Sequence, residues 1–470
     1  MHMLNEKAIT RMQAIAIVVI IVIAAVAAGA YFVLQAPPAP PKRTLTIWRT
    51  EPFSETSIPY WNALISGFKE ANPDIEVIDQ VFGEDPINDK ITAALTIGTG
   101  LPDIAYCTKF QPVPAWAFQG KLEPLDEIAD WMLSTYGDDV NKQALLACHW
   151  RGPDGESRYY GLPNGLMPWV VMVRVDLLQG AGLTLDDIRT YSGFEKALYI
   201  LKDKYGPQGI YPFDIQMGTA SYDGQEDFLC LLGAINGVPP IAGDGSIQFN
   251  KTAAQRAGVV RLLASLDKWY KDGIIPRGAF AEGDYDNNDN FQKGMTVITP
   301  NTLSIWRWIK SNKPEWIEQE KFISIGWPGN LVDGKSINMI YVGPWMVFKG
   351  IPEERKQAAF SFLKYFYDYN NYKKWFQGIV GDHTDAPLYN SLLNEPPFTT
   401  DPVMKELAQT TRNIMVDPPL LRPSWSLLMA DYVIGRAQLK VFTGEWTPEQ
   451  AADWLIEQVY AYAADNEGVW

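Results

Sequence analysis

"TLTIWRT", residues 44–50, "IPYWNALISGFKEANP", 58–73, and "IEVIDQVF", 75–82, decide the fold class. The outer two are short β-branched runs of strand length, and the middle one carries apolar residues at helical spacing. "INDKITAALTIGTG", 87–100, then reads as a second helix and "PDIAYC", 102–107, as a third strand. Strand and helix in alternation predict an α/β domain with a largely parallel sheet. Such sheets bind ligands at the carboxyl ends of their strands.

The chain has 470 residues, 47% of them hydrophobic and 20% charged, which is enough for two or three packed domains. A net charge of -15 repels polyanions, so no nucleic acid is expected as a partner. Aromatics are abundant, with 17 Trp, 22 Tyr and 20 Phe. Most belong in cores, but flat rings also stack on sugars. Cys107, Cys148 and Cys230 are too few for a disulfide scaffold and too far apart for a zinc knuckle, and His2, His149 and His383 are the only histidines. Neither a metal nor a cofactor is implied.

From Ala14 to Leu34 runs "AIAIVVIIVIAAVAAGAYFVL", 21 residues without a charge. That length crosses the hydrocarbon core as one helix. Residues 1–35 are expected to be a signal or transmembrane anchor and 36–43 a stiff Pro-rich linker. A cleaved secretory signal is the competing reading. The stretch "NEKAITRMQ" before the apolar run resembles the leader of some archaeal surface proteins, and an anchored, outward-facing protein is expected.

Downstream, Val259, Leu262, Leu263, Leu266, Trp269 and Tyr270 form one helical stripe ending at Gly273, and Thr447 begins a capped helix with Pro448 and Gln450. "GNLVDGKS", 329–336, matches a phosphate-binding loop, but a β-rich run follows it instead of a helix, so Asp333-Gly334 is expected to turn a hairpin. "DYDNNDNFQKGM", 284–295, opens like a calcium loop but has Asp289 and Met295 where Gly and Glu are needed, and a solvated acidic loop is expected. Asn250-Lys251-Thr252 is a glycosylation sequon.

Eight segments then fall in a recognisable order. They are "GTGLPDIAYC", "FQGKLEPLDEI", "YYGLPNGLMPWVVMVRVDLLQGAGL", "FNKTAAQRAGVVRLLASLDKWYKDGIIP", "FQKGMTVIT", "ISIGWPGN", "AAFSFLKYFYDYNNYKKWF" and "TGEWTPEQAADWLIEQV". Their order resembles that of extracellular solute-binding proteins of ABC importers, the group that includes maltose-binding protein, over nearly everything from Thr44 on. The resemblance implies a two-lobed, type II periplasmic-binding-protein-like α/β fold with a hinge and an interlobe ligand cleft. It assigns residues 44–165 and 328–385 to the first lobe and 166–327 and 386–470 to the second. It implies a monomeric, non-enzymatic protein on the extracellular face of the membrane that captures a carbohydrate and docks on a membrane permease. A membrane-anchored glycosidase is the alternative, and a pair of carboxylates facing each other across the cleft would distinguish it.

The same resemblance suggests site residues. Trp306 and Trp308 follow the strand of "FQKGMTVIT"; two residues apart on a helix, they cannot both face one core, and Trp306 is expected at the cleft. Thr50 and Glu51, and Lys109, Phe110 and Gln111, follow first-lobe strands and offer polar groups where hydroxyl recognition needs them. Trp345 follows a Gly-Pro break, Trp425 matches a segment that supplies an aromatic in sugar-binding relatives, and Tyr222 and Asp223 precede an apolar helix. Met167 and Trp169 stand where relatives often carry an acidic residue, and "AYCTKFQ" departs from the maltodextrin pattern, so maltose itself is not implied as the ligand. His383 and Asp385 are expected at a hinge crossover.

Overall fold

The computed structural model describes residues 16, 18–26, 42–50, 58–107, 112–243, 245–379, 385–411, 414–416 and 423–466. Its strands, in chain order, are β1 (Arg43–Thr50), β2 (Ile75–Phe82), β3 (Ile104–Tyr106), β4 (His149–Arg151), β5 (Ser157–Tyr159), β6 (Leu162–Pro163) and β7 (Met167–Arg174). After these come β8 (Tyr211–Phe213), β9 (Thr296–Asn301), β10 (Phe322–Ile325), β11 (Asn338–Tyr341), β12 (Pro344–Val347) and β13 (Ile414–Val416).

Two sheets organise the chain. The first has the order β2-β1-β3-β12-β6 and the second β13-β11-β7-β9-β8, with β10 also on β7. β1 runs parallel to both β2 and β3, as the strand–helix alternation predicts. β12 and β6 join antiparallel, because they are the strands by which the chain returns from and leaves for the other sheet.

Period-two alternation sorts β1 between two cores. Leu45 and Ile47 pack with Trp61, Phe68 and Phe362, while Trp48 faces Ile87, Ile91 and Trp116 on the opposite side. β7 does the same in the second sheet. Trp169, Val171 and Val173 meet the long helix Ala253–Asp272 and its neighbours, and Val170 and Met172 face Ile305 and Leu407. The expected stripe Val259 to Tyr270 is buried along that helix, whose Thr252–Gln255 capping box starts it and whose Gly273, at φ 77°, stops it.

The expected lobe boundaries move. β11 pairs with Met167–Trp169 of β7, so residues 328–341 belong with the second sheet, and the chain returns to the first at Val342–Gly343 rather than at 328. At the other boundary, Leu388 to Glu395 stay with the first sheet's layer: Asn141 N–H donates to Leu388 O at 2.9 Å, and Lys373 pairs with Glu395 at 2.7 Å.

Two loop expectations also change. β10 and β11 do not form a hairpin; they lie end to end along one edge of β7, and 326–337 is an excursion between them. Asn330 shapes its tip by accepting from the amides of Val332 and Asp333. Asp286–Lys293 is a helix rather than a solvated loop, with Asn287 fully buried and donating to Pro300 O at 2.9 Å. Cys107, Cys148 and Cys230 are all buried free thiols. Residues 18–26 are helical, with their apolar side chains exposed, and among the described residues no helix is long and apolar enough to cross a membrane.

Candidate ligand site and hinge

Two short crossovers join the sheets side by side, Asn164–Leu166 between β6 and β7 and Val342–Gly343 between β11 and β12, and Ala386, whose flanking elements both belong to the first lobe, lies against the first of them. Asn164 N–H donates to Gly343 O at 3.0 Å, and Leu166 and Ala386 exchange backbone bonds of 2.9 and 2.6 Å. Two glycines permit this approach. A Cβ at Gly165 would lie 3.0 Å from Ala386 O, and one at Gly343 would lie 2.8 Å from the Tyr106 ring.

Around this junction the strand ends present polar groups. Thr50, at the carboxyl end of β1, is buried, and its hydroxyl has no hydrogen-bond partner among the described residues. From the second sheet, Tyr341 at the end of β11 packs against the cores of both sheets and donates from its hydroxyl to Glu226 Oε2 at 3.3 Å. Glu226 sits in the first turn of the helix Asp223–Asn236 with Asp223, where helix-dipole charge favours carboxylates. Asp284 holds that helix start by accepting from Tyr222 N–H at 2.6 Å, Ser221 Oγ at 2.8 Å and Asp223 N–H at 3.2 Å.

Behind this wall lie buried carboxyls. Asp227 accepts from Trp169 Nε1 at 2.7 Å, and its second oxygen has no partner among the described residues. Burial pushes the Asp227 carboxyl well above the usual carboxylate range, the Trp169 N–H opposes this, and Asp214 and Asp284 push it further up. Asp214 and Glu282 share the Asn290 amide at 3.0 and 3.2 Å. Burial, then the neighbouring Glu282 carboxyl, raises Asp214, and burial raises Glu282 as well.

Trp306, expected at the cleft, is 1% exposed in a core with Leu303, Ile305 and Ile309, and Trp308 is half-buried. The reason is helical phase: 305, 306 and 309 share the buried stripe, and 308 lies about 200° from 306. Trp345 is buried and stacks on Trp61 at 5.9 Å, with its Nε1 donating to Asn164 Oδ1 at 3.4 Å, which is a hinge position. Trp425 packs inward against Phe249 at 5.8 Å, and Trp169 is buried between Asp227, Tyr341 and the Trp327 indole that donates to its carbonyl. Tyr222 and Asp223 are in place at the helix start, and Asp385 is buried beside Gly165. Glu51, Lys109, Phe110, Gln111 and His383 lie outside the described residues. Tyr341, Glu226 and Asn164 were missed; the strand-ending "YVGP" was the available signal for Tyr341.

The profile of the family described as bacterial extracellular solute-binding protein matches residues 63–406. No curated protein matches the chain in sequence. Among solved structures, the sugar-binding protein MalE of Xanthomonas citri superposes with a TM-score of 0.70 at 18% identity, over 91% of this chain and 98% of that one. The cyclic alpha-maltosyl-1,6-maltose binding protein of Arthrobacter globiformis gives 0.69 at 17% identity over 90% and 100%, and maltose-bound T. maritima MalE3 gives 0.67 at 19% over 89% and 99%. These likenesses establish the fold, which is the two-lobed α/β fold of the MalE structures. With the profile covering well over half of the residues, the chain belongs to the bacterial extracellular solute-binding proteins.

Proposed function

We propose that this protein is the solute-binding subunit of an ABC importer, capturing an extracellular mono- or oligosaccharide between its lobes and passing it unaltered to the permease. The observation that carries the reading is the hinge: a chain of this family whose two sheets are joined by two adjacent crossovers, with polar groups gathered at the strand ends beside them. Similar structures were solved as a sugar-binding protein and with bound maltose.

In this reading Thr50, Tyr341, Glu226, Tyr222 and Asp223 contact the ligand, joined from the first lobe by Glu51, Lys109, Phe110 and Gln111. Trp308 is the indole that supplies a sugar-stacking face. Ligand contacting both lobes shifts the hinge toward closure, and converting a mostly open population to a mostly closed one needs about 5 kcal/mol of differential affinity. The apolar segment Ala14–Leu34 anchors the protein, a monomer, on the outer face of the membrane. The Asp214–Glu282 pair lies within the second lobe and not across the two, so it does not have the placement a glycosidase needs.

The test is a thermal-shift screen across mono- and oligosaccharides, with small-angle scattering on each stabilising sugar and a check for cleavage after overnight incubation. A sugar that raises the melting temperature, shrinks the radius of gyration and is recovered intact is the expected result. No stabilising sugar, or a cleaved one, overturns the reading.

A further inference from the structure

We infer that Tyr372 is a positioning residue of the hinge, whose single hydroxyl ties the first crossover to the adjoining first-lobe segment and so fixes the first-lobe end of the pivot. It donates to Asn164 O of the first crossover at 2.8 Å and accepts from Leu388 N–H, just beyond Ala386, at 2.9 Å. The side chain is 0% exposed, on the first-lobe helix Tyr369–Ile379, and its ring stacks on Phe376 at 5.6 Å and meets Tyr389 edge-on at 5.1 Å. The phenol is therefore held rigidly, and the backbone groups it bonds are held through it.

The neighbouring bonds reinforce the same end. Tyr367 donates from its hydroxyl to Pro163 O at 2.9 Å, and Trp345 Nε1 reaches Asn164 Oδ1. Asn164 and the stretch Leu388–Glu395 are thus held on the first lobe. The freedom left for a rotation lies beyond them, at Gly165–Leu166 and Val342–Gly343. Hinges work through a few such residues that absorb the dihedral change. Without the hydroxyl the first crossover loses this fixed point, the free protein samples more interlobe orientations, and the closed state costs more ordering.

The inference rests on the proposed closure around a sugar, and the wild-type protein is the arm that tests that reading separately. Tyr372→Phe keeps the ring and removes both bonds. Tyr205→Phe is the control, because it removes a partly buried hydroxyl bonded to Leu177 O at 2.8 Å, away from the crossovers. Interlobe distances are read by pulsed electron paramagnetic resonance from labels on Ala93→Cys and Asp203→Cys, both exposed positions, while the native thiols are buried. With the stabilising sugar from the screen, Tyr372→Phe is expected to weaken Kd by about threefold or more and to broaden the unliganded distance distribution. Tyr205→Phe is expected to lower the melting temperature and change neither. Amide exchange on the wild type needs no variant: the Leu388 N–H is expected to stay protected both free and liganded. Tyr372→Phe behaving like Tyr205→Phe, or a Leu388 amide that exchanges rapidly in the free protein, overturns the inference. A wild type whose lobes never approach each other with any sugar defeats the closure reading instead.

Discussion

Trp169→Phe is expected to destabilise the second lobe substantially while leaving the folded protein's sugar affinity nearly intact. In the structure the Trp169 N–H is the hydrogen-bond donor to Asp227, a fully buried carboxyl whose other oxygen has no partner among the described residues. Removing the indole leaves that carboxyl with no donor, which costs about 1–3 kcal/mol, and trimming the ring adds roughly 1–2 kcal/mol of lost packing. The sum, centred on about 3 kcal/mol, corresponds to a fall of roughly 6–12 °C in melting temperature for a unit of lobe size.

The loss depends on pH, and its sign follows from linkage. Asp227 is raised above its ordinary value mainly by burial, so its protonated form stabilises the fold below the unfolded carboxyl's pKa, and that stabilisation is lost as pH rises through the folded value. The Trp169 N–H favours the ionised form, so its removal raises the folded value further, and the deficit of Trp169→Phe grows with pH. Asp227→Asn keeps an acceptor for the indole without a charge to bury, and its stability relative to wild type should rise with pH. Urea unfolding followed by circular dichroism, from about pH 4 to pH 7.5, measures both. A Trp169→Phe deficit under about 0.5 kcal/mol, or one that does not change with pH, refutes the reasoning. A tenfold loss of sugar affinity at a temperature where the variant is folded shows instead that the indole meets the ligand.

Three further outcomes follow from the same coordinates. Asp214 and Glu282 are both raised, so their contribution is present in acid and lost as pH rises; Glu282→Gln should therefore gain stability relative to wild type on going from about pH 4 to pH 7, read by the same unfolding curves. Arg355 pairs at 2.8 Å with Asp103, which is fully buried and also accepts from Thr46 N–H, so Arg355→Met should cost about 2–4 kcal/mol in thermal unfolding by leaving that carboxylate uncompensated. Gly343→Ala brings a Cβ to 2.8 Å from the Tyr106 ring at the second crossover, and should lower stability by about 1–3 kcal/mol and alter the interlobe distance distribution.

The strands and long helices were legible because burial imposes periodicity on them. β2 occupies the predicted residues 75–82, and the stripe from Val259 to Tyr270 faces the core along one helix. The acidic run 284–295 was misread for the opposite reason. Asn287 is buried because it donates to Pro300 O of β9, and the half-buried Asn290 donates to the Asp214 carboxylate at the end of β8. Composition registers such residues as polar and therefore exposed. What decides their burial is how the helix packs on these two strands, which the polarity of the run does not report. The excursion 326–337 was misread similarly, since Asp-Gly marks a turn, but whether two strands meet across it depends on β7, whose eight residues offer one edge to both β10 and β11 in succession.

The site followed a different logic from the one aromatic abundance suggests. A large apolar indole carries a single N–H donor and so needs only one bond partner to be buried completely, and Trp169, Trp327 and Trp345 each have one, in Asp227, the Trp169 carbonyl and Asn164. Those bonds recruit the rings to fix the crossovers and the second-lobe wall. Under the proposed function, recognition of a hydroxyl-rich guest falls to the groups that such packing leaves at the strand ends, the Thr50 hydroxyl and the Tyr341–Glu226 pair, whose hydrogen-bonding directions are set by the rigid layer behind them. A solute-binding protein that works this way gains selectivity from the placement of its hinge as much as from its contacts, because the same polar groups meet a ligand of a given length only at one angle of closure.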